Sequence, residues 1–192
     1  MNNYQQELKN YLMTEIEVMQ QIDIEAINDA MNLLWDTFEK EGNIYIFGNG
    51  GSASTASHFQ NDFNKGISEY TEKKFRFNCL SDNISTLTAI ANDISYEAVY
   101  SEQLKGRLKT GDIVIAISGS GNSKNIIRAV EYAKTEKIPV IGISGYNGGE
   151  LKKLSDISLH VPIDDMQIVE DVHMMFDHMM MSVFYKRVKR EK

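Results

Sequence analysis

Cysteine is almost absent from the sequence: Cys79 is the only one in 192 residues. A lone thiol excludes an intramolecular disulfide framework and fits a reducing compartment. Proline is nearly as scarce, with only Pro139 and Pro162, and no proline-rich or low-complexity linker divides the chain. No apolar run approaches the ~18 residues that would cross a bilayer. The opening MNNYQQELKN also lacks the basic-then-apolar order of an export signal. These absences predict a cytoplasmic protein without a membrane partner. Basic charge is in deficit: 20 Lys and Arg against 27 Asp and Glu leave −7. Such a balance argues against nucleic acid as a partner, because counterion release needs a basic surface.

What is present describes a folded, domain-sized unit. Hydrophobic residues make up 42% and charged residues 24%, too apolar a mixture for a disordered chain. At about 150 residues per domain, the length predicts one domain over 1–192, with N-terminal helices over 1–40 and an α/β core over 41–192. Leu8, Leu12, Ile16, Met19 and Ile22 recur at helical spacing, as do Ile27, Met31, Leu34 and Phe38. They predict two helices broken near Asp23, whose apolar faces must cover the core or a partner subunit. Short Val/Ile-rich strands are expected over 43–47, 75–80, 113–117, 139–143 and 157–161, with helices to about 64, through about 134 and over 166–185. Near-continuous apolar strands alternating with helices imply a five-stranded parallel sheet, hence a three-layer α/β/α sandwich.

Two strand-to-helix loops carry the chemistry. Gly48-Asn49-Gly50-Gly51-Ser52 lets backbone approach a ligand without Cβ interference. Ser118-Gly119-Ser120-Gly121-Asn122-Ser123 offers three hydroxyls and free N–H groups at a helix N-terminus, a phosphate cradle in chemical terms. Either loop alone is equally a tight turn whose serines cap the next helix. Two in one small chain, each after a buried strand, point to a ligand site. A Walker ending is missing, and Ala53 stands where a dinucleotide fingerprint needs glycine, so no nucleotide cofactor is expected. Titratable groups cluster twice: His58 and Asp62 share a helix face at i, i+4, and Glu170 and His178 lie eight apart on the last helix. His173 and the methionines at 174, 175 and 179–181 read as core, and His160 as strand packing. The basic end (Lys186, Arg187, Lys189, Arg190, Lys192) reads as a solvated helix terminus that complements the dipole.

Together with 88–93 (TAIAND), Gly111-Asp112, the 144–149 turn (SGYNGG) and Val172-His173 leading to His178, these motifs resemble the sugar isomerase (SIS) domain family, in its phosphoheptose isomerase branch. The likeness covers essentially the whole chain. It implies a flavodoxin-like sheet and conversion of sedoheptulose 7-phosphate to D-glycero-D-manno-heptose 7-phosphate. It also implies a zinc ion held by His58, Asp62, Glu170 and His178, with Asp62 and His178 as the acid–base groups. Asn49, Gly50, Gly51, Ser52, Asn92, Asp93, Ser118, Gly119, Ser120, Ser123 and Glu170 are then the substrate contacts, and a homotetramer is the expected assembly. A bland reading of Asn92-Asp93 is a surface turn. The chemistry suits these residue types: isomerisation moves a proton between neighbouring carbons through an enediol, and needs a shuttle, an acid and charge stabilisation. The same family contains non-catalytic members that associate with the DnaA initiator or sense phosphosugars, which makes a binding protein the rival reading.

Three departures from the family stand out. Asp62 replaces the usual Glu, Glu170 replaces the usual Gln, and Asn64-Lys65-Gly66 carries no arginine where Gly-Arg is common. Lys65 offers a replacement charge one residue earlier, but lysine and arginine are not interchangeable for bidentate phosphate contact. Another phosphosugar therefore remains open as substrate.

Overall fold

The computed structural model describes residues 2–190. The predicted helical pair forms as α1 (Gln5–Met19) and α2 (Ile24–Glu39). The break falls at Asp23, whose side chain caps α2 by accepting from the Ala26 N–H. The strands are β1 (Ile44–Gly48), β2 (Phe77–Cys79), β3 (Ile113–Ser118), β4 (Val140–Ser144) and β5 (Ile157–His160). Between them run α3 (Gly51–Asn61), α4 (Ile84–Asp93), α5 (Ser101–Leu104), α6 (Lys124–Thr135) and α7 (Gly149–Leu154), and α8 (Met166–Arg190) follows the last strand.

All pairings are parallel and the strand order is β2-β1-β3-β4-β5. Every residue of β1, β3 and β4 is buried, as strands covered on both faces must be. Their side chains alternate between two cores. Ile44, Ile46, Ile113, Ile115, Ile141 and Ile143 pack with α2, α3 and α8. Tyr45, Phe47, Val114, Ala116 and Val140 pack with α6 and α7 on the other face. The chain is thus the expected three-layer sandwich.

Local differences from expectation have physical causes. The second strand pairs over only three residues, and Phe75 leaves the sheet to stack on Phe38 at 4.5 Å between ring centroids. α4 was not foreseen although Ile84, Leu87, Ile90 and Ala91 recur at helical spacing; Leu87, Ile90 and Ala91 pack only partly buried against the second core. Asn92 and Asp93, whose bland reading was a surface turn, are its last two residues. The third helix is α-helical only to Asn61 and continues as a π-helical turn over Asp62–Ile67. The faces of α1 and α2 also fare differently. α2 buries Ile27, Ala30, Leu34 and Phe38, whereas Leu8, Leu12 and Ile16 of α1 stay 64%, 57% and 43% exposed.

Candidate active site

In an open parallel sheet, ligands bind beyond the carboxyl ends of the strands, at the point where strand order reverses. Here that point lies between β1 and β3, which are paired neighbours. The two glycine- and serine-bearing loops follow those same strands, so the topology sets them side by side. They enclose a cavity of about 130 Å³ lined by Asn49, Ser52, Ser118, Gly119, Ser120 and Ser123, with Met166 and Glu170 from α8 closing it.

The serines do not spend their hydroxyls on capping. Ser123 occupies the N-cap position of α6 without a side-chain cap bond, and its Oγ instead accepts from Ser118 Oγ at 3.2 Å. Ser120 Oγ accepts from the Asn122 N–H. In the first loop, Gly50 adopts φ +55° with open space where a Cβ would stand. A Cβ at Gly51 would fall 2.3 Å from Glu170 Oε1, so the absence of a side chain there makes room for that carboxylate. Asn49 is held firmly. It exchanges two 2.9 Å amide bonds with buried Asn125, and its Oδ1 also accepts from the Tyr96 and Tyr100 hydroxyls.

The second cluster lies between α3 and α8. His58 and Asp62 share a face of the third helix because the Asp62 N–H still donates to the His58 carbonyl, and π-helical turns of this kind recur at functional sites. His58 Nε2 lies 3.6 Å from Asp62 Oδ2, 3.8 Å from Asp177 Oδ2 and 3.1 Å from His178 Nε2. One donor atom from each of these four residues falls within 4.8 Å of the others. His58 also faces a groove of about 610 Å³ bordered by Ser54, Ser57, Asn61, Ser81 and Asp82. Asp177 is fully buried, and neither of its oxygens has a hydrogen-bond partner. Burial, and then the nearby charge of Asp62, push its carboxyl up to about 8.

A divalent cation fits this donor set. Tetrahedral zinc with bonds of ~2.0–2.1 Å spaces its donors roughly 3.3 Å apart, close to the 3.1, 3.6 and 3.8 Å seen here. Two imidazole nitrogens in contact also need a proton or a cation between them.

The structure therefore brings His58, Asp62 and His178 together and adds Asp177, which sequence reasoning did not place at the site. The missed signal was a carboxylate on the apolar stripe of α8, amid Val169, Val172, Phe176 and Met180. Glu170, expected at the metal, lies instead over Gly51 in the loop cavity and outside the four-residue cluster. Asn92 and Asp93 line neither the loop cavity nor the groove; Asn92 Nδ2 donates to Asp93 Oδ1 on the exposed end of α4. His173 is buried with its Nε2 unpartnered, and burial lowers its pKa to about 4. His160 is held by Lys152 and the Tyr146 carbonyl at the sheet edge.

Fold and loops together define a phosphosugar-binding α/β class, and the profile of the SIS domain matches residues 3–145, so the chain belongs to the SIS domain family. Its relatives narrow the branch. A phosphoheptose isomerase from Helicobacter pylori is 40% identical over 156 residues, 81% of each chain. A probable phosphoheptose isomerase from Thermoplasma acidophilum is 35% identical over 175 residues, 91% of this chain and 96% of its own. The solved phosphoheptose isomerase GmhA of Neisseria gonorrhoeae superposes with a TM-score of 0.87 at 29% identity, covering 95% of this chain and 98% of that one.

Proposed function

We propose that the chain, as one domain, is a phosphosugar aldose–ketose isomerase that converts sedoheptulose 7-phosphate to D-glycero-D-manno-heptose 7-phosphate. The observation that carries this reading is the placement of a hydroxyl- and amide-lined cavity and a His/Asp cluster on the same helix. Gly51 opens α3 at the cavity and His58 stands two turns on, roughly 10 Å along the axis at 1.5 Å per residue. That spacing suits a ligand with phosphate at one end and a reacting carbonyl at the other. Ser118, Ser120, Ser123 and the α6 N-terminus hold the phosphate without any formal positive charge. Asn49, Gly50, Gly51, Ser52, Gly119 and Glu170 flank the sugar.

Asp62 takes the proton from the hydroxyl-bearing carbon next to the carbonyl and returns it to the former carbonyl carbon, and its second oxygen remains free to hold a cation. His178, exposed at the cluster's edge, gives a proton to the carbonyl oxygen and takes one from the neighbouring hydroxyl, so that both groups end as they began. Zinc is the cation proposed for the cluster, with His58, Asp62 and His178 among its ligands. When bound, it would polarise the carbonyl and stabilise developing oxyanion charge.

Asn92 and Asp93 reach a substrate only if a second copy completes the site. The exposed Leu8, Leu12 and Ile16 of α1, with Ile84 and Ile94 at the two ends of α4, support a homo-oligomer, a tetramer in this reading. Among the described residues no helix is long and apolar enough to cross a membrane, and we place the enzyme in the cytoplasm.

A coupled assay of sedoheptulose 7-phosphate beside other ketose phosphates tests the proposal. Turnover of the heptulose, lost on chelation and restored by zinc, is the expected result. A folded protein that turns over none of them would be a binding protein instead.

A further inference from the structure

We propose that Asp177, and not Glu170, is the fourth protein ligand of the cation, which leaves the Glu170 carboxylate to the substrate cavity. The inference rests on the metal-assisted reading above and concerns which of two acids on α8 serves it.

Geometry separates the two acids. Asp177 Oδ2 lies 3.8 Å from His58 Nε2, inside a set of four donor atoms that fall within 4.8 Å of one another. The Glu170 carboxylate sits over Gly51, with Oε1, Cδ and Oε2 all 2.3–2.5 Å from where a Cβ would stand. Gly51 opens α3, two turns before His58. The seven-residue spacing of Glu170 and Asp177 puts both on nearly the same side of α8. The helix therefore presents one acid to each end of α3, and one acid cannot serve both places at once.

Burial gives Asp177 a need that Glu170 lacks. Its side chain is fully buried, and neither oxygen meets a donor. A buried carboxylate without hydrogen bonds or a countercharge is strongly unfavourable, and such groups in folded proteins are paired or bind metal. The groups within reach are His58, Asp62 and His178, and a cation among them supplies the missing partner. Charge counting agrees. Two neutral imidazoles and the carboxylates of Asp62 and Asp177 cancel a 2+ ion, whereas a third carboxylate would leave a partly buried site with excess negative charge. Glu170 borders Asn49, Ser52 and the serine loop, where an acceptor can read a sugar hydroxyl.

Zinc titration against a chromophoric chelator tests the assignment on the wild type, Asp177→Asn and Glu170→Ala, because glutamine, the usual family residue at 170, could itself ligate a cation through its amide oxygen. We expect about one zinc per wild-type chain, at least tenfold weaker binding in Asp177→Asn, and binding within threefold of wild type in Glu170→Ala. Thermal unfolding of the metal-free proteins controls for folding. Asp177→Asn should melt no lower than wild type, because it removes an unpartnered acid, yet it should lose the zinc-induced rise in Tm. A direct signature comes from Asp177→Cys and Glu170→Cys loaded with Co²⁺. Only the former should add a thiolate-to-cobalt charge-transfer band over a wild-type control that contains Cys79. Wild-type zinc binding that survives Asp177→Asn but fails in Glu170→Ala, or a charge-transfer band in Glu170→Cys alone, overturns this inference and leaves the metal-assisted reading standing. No zinc binding by wild type overturns both.

Discussion

Replacing Asn125 with alanine should damage the enzyme through a residue it merely touches. Asn125 is 2% exposed at the start of α6. Its amide pairs reciprocally with that of Asn49, with both bonds at 2.9 Å. The pair ties the first loop to the helix that follows the second loop, and so sets how Asn49 faces the cavity. Each such bond contributes about 0.5–1.5 kcal/mol net, so losing both removes about 2 kcal/mol of positioning, roughly 30-fold in kcat/KM at ~1.4 kcal/mol per decade. The Tyr96 and Tyr100 hydroxyls still reach Asn49 Oδ1 in the variant, which keeps the loss from being total. The assay is a double-mutant cycle of Asn49→Ala and Asn125→Ala on sedoheptulose 7-phosphate turnover, with circular dichroism confirming the fold. If Asn125 acts through Asn49, the double variant is no worse than Asn49→Ala and the coupling is about 2 kcal/mol. Losses that add to within ~0.5 kcal/mol would show two independent residues and refute the reasoning.

Acid should destabilise the protein through His173. Its folded pKa of about 4 lies below the ordinary 6.5, so between those values the unfolded chain binds a proton that the folded chain refuses. Stability is lost as pH falls through that window, by up to about 3 kcal/mol. Asp177, raised to about 8, has the opposite sign, so the measurement is a difference. In urea denaturation of metal-free protein, the gap between wild type and His173→Leu should shift by about 3 kcal/mol in the variant's favour from pH 7 to pH 4, and a constant gap defeats this account. Gly121→Ala should unfold the phosphate cradle first. Its φ is +68°, and a Cβ there would lie 2.1 Å from the Gly148 carbonyl oxygen; a Tm within 2 °C of wild type would show that the loop yields freely. Phe63→Ala empties a fully buried site ringed by Phe75, Phe77 and Phe184. It should cost about 3–5 kcal/mol in chemical denaturation, and a loss under 1 kcal/mol would mean that the core refills the space.

Much of the architecture was legible in the residue pattern because it is locally encoded. The Val/Ile runs at 113–117 and 139–143 could be little other than buried strands. Asp23 marked the break between the first two helices and caps the second. The four-residue spacing of His58 and Asp62 put them on one face before any coordinates did. α4 was missed although its pattern was there: Ile84, Leu87, Ile90 and Ala91 recur at helical spacing, over a stretch of only ten residues. The family likeness in the two loops pointed to the chemistry, and the relatives bear out that branch.

Long-range packing decided the rest. The sequence holds both loops and both acids of α8, but strand order sets the loops together. Only the pairing of β1 with β3 makes one cavity from segments about seventy residues apart. The docking of α8 against α3 then assigns its side chains, with Glu170 at the head of α3, Asp177 in the histidine cluster and His173 in the core. An eight-residue spacing showed that Glu170 and His178 could share a side; it could not show that the neighbouring helix meets each at a different turn. Periodicity gives a side chain its direction about its own axis, and the partner it meets there depends on a helix more than a hundred residues away.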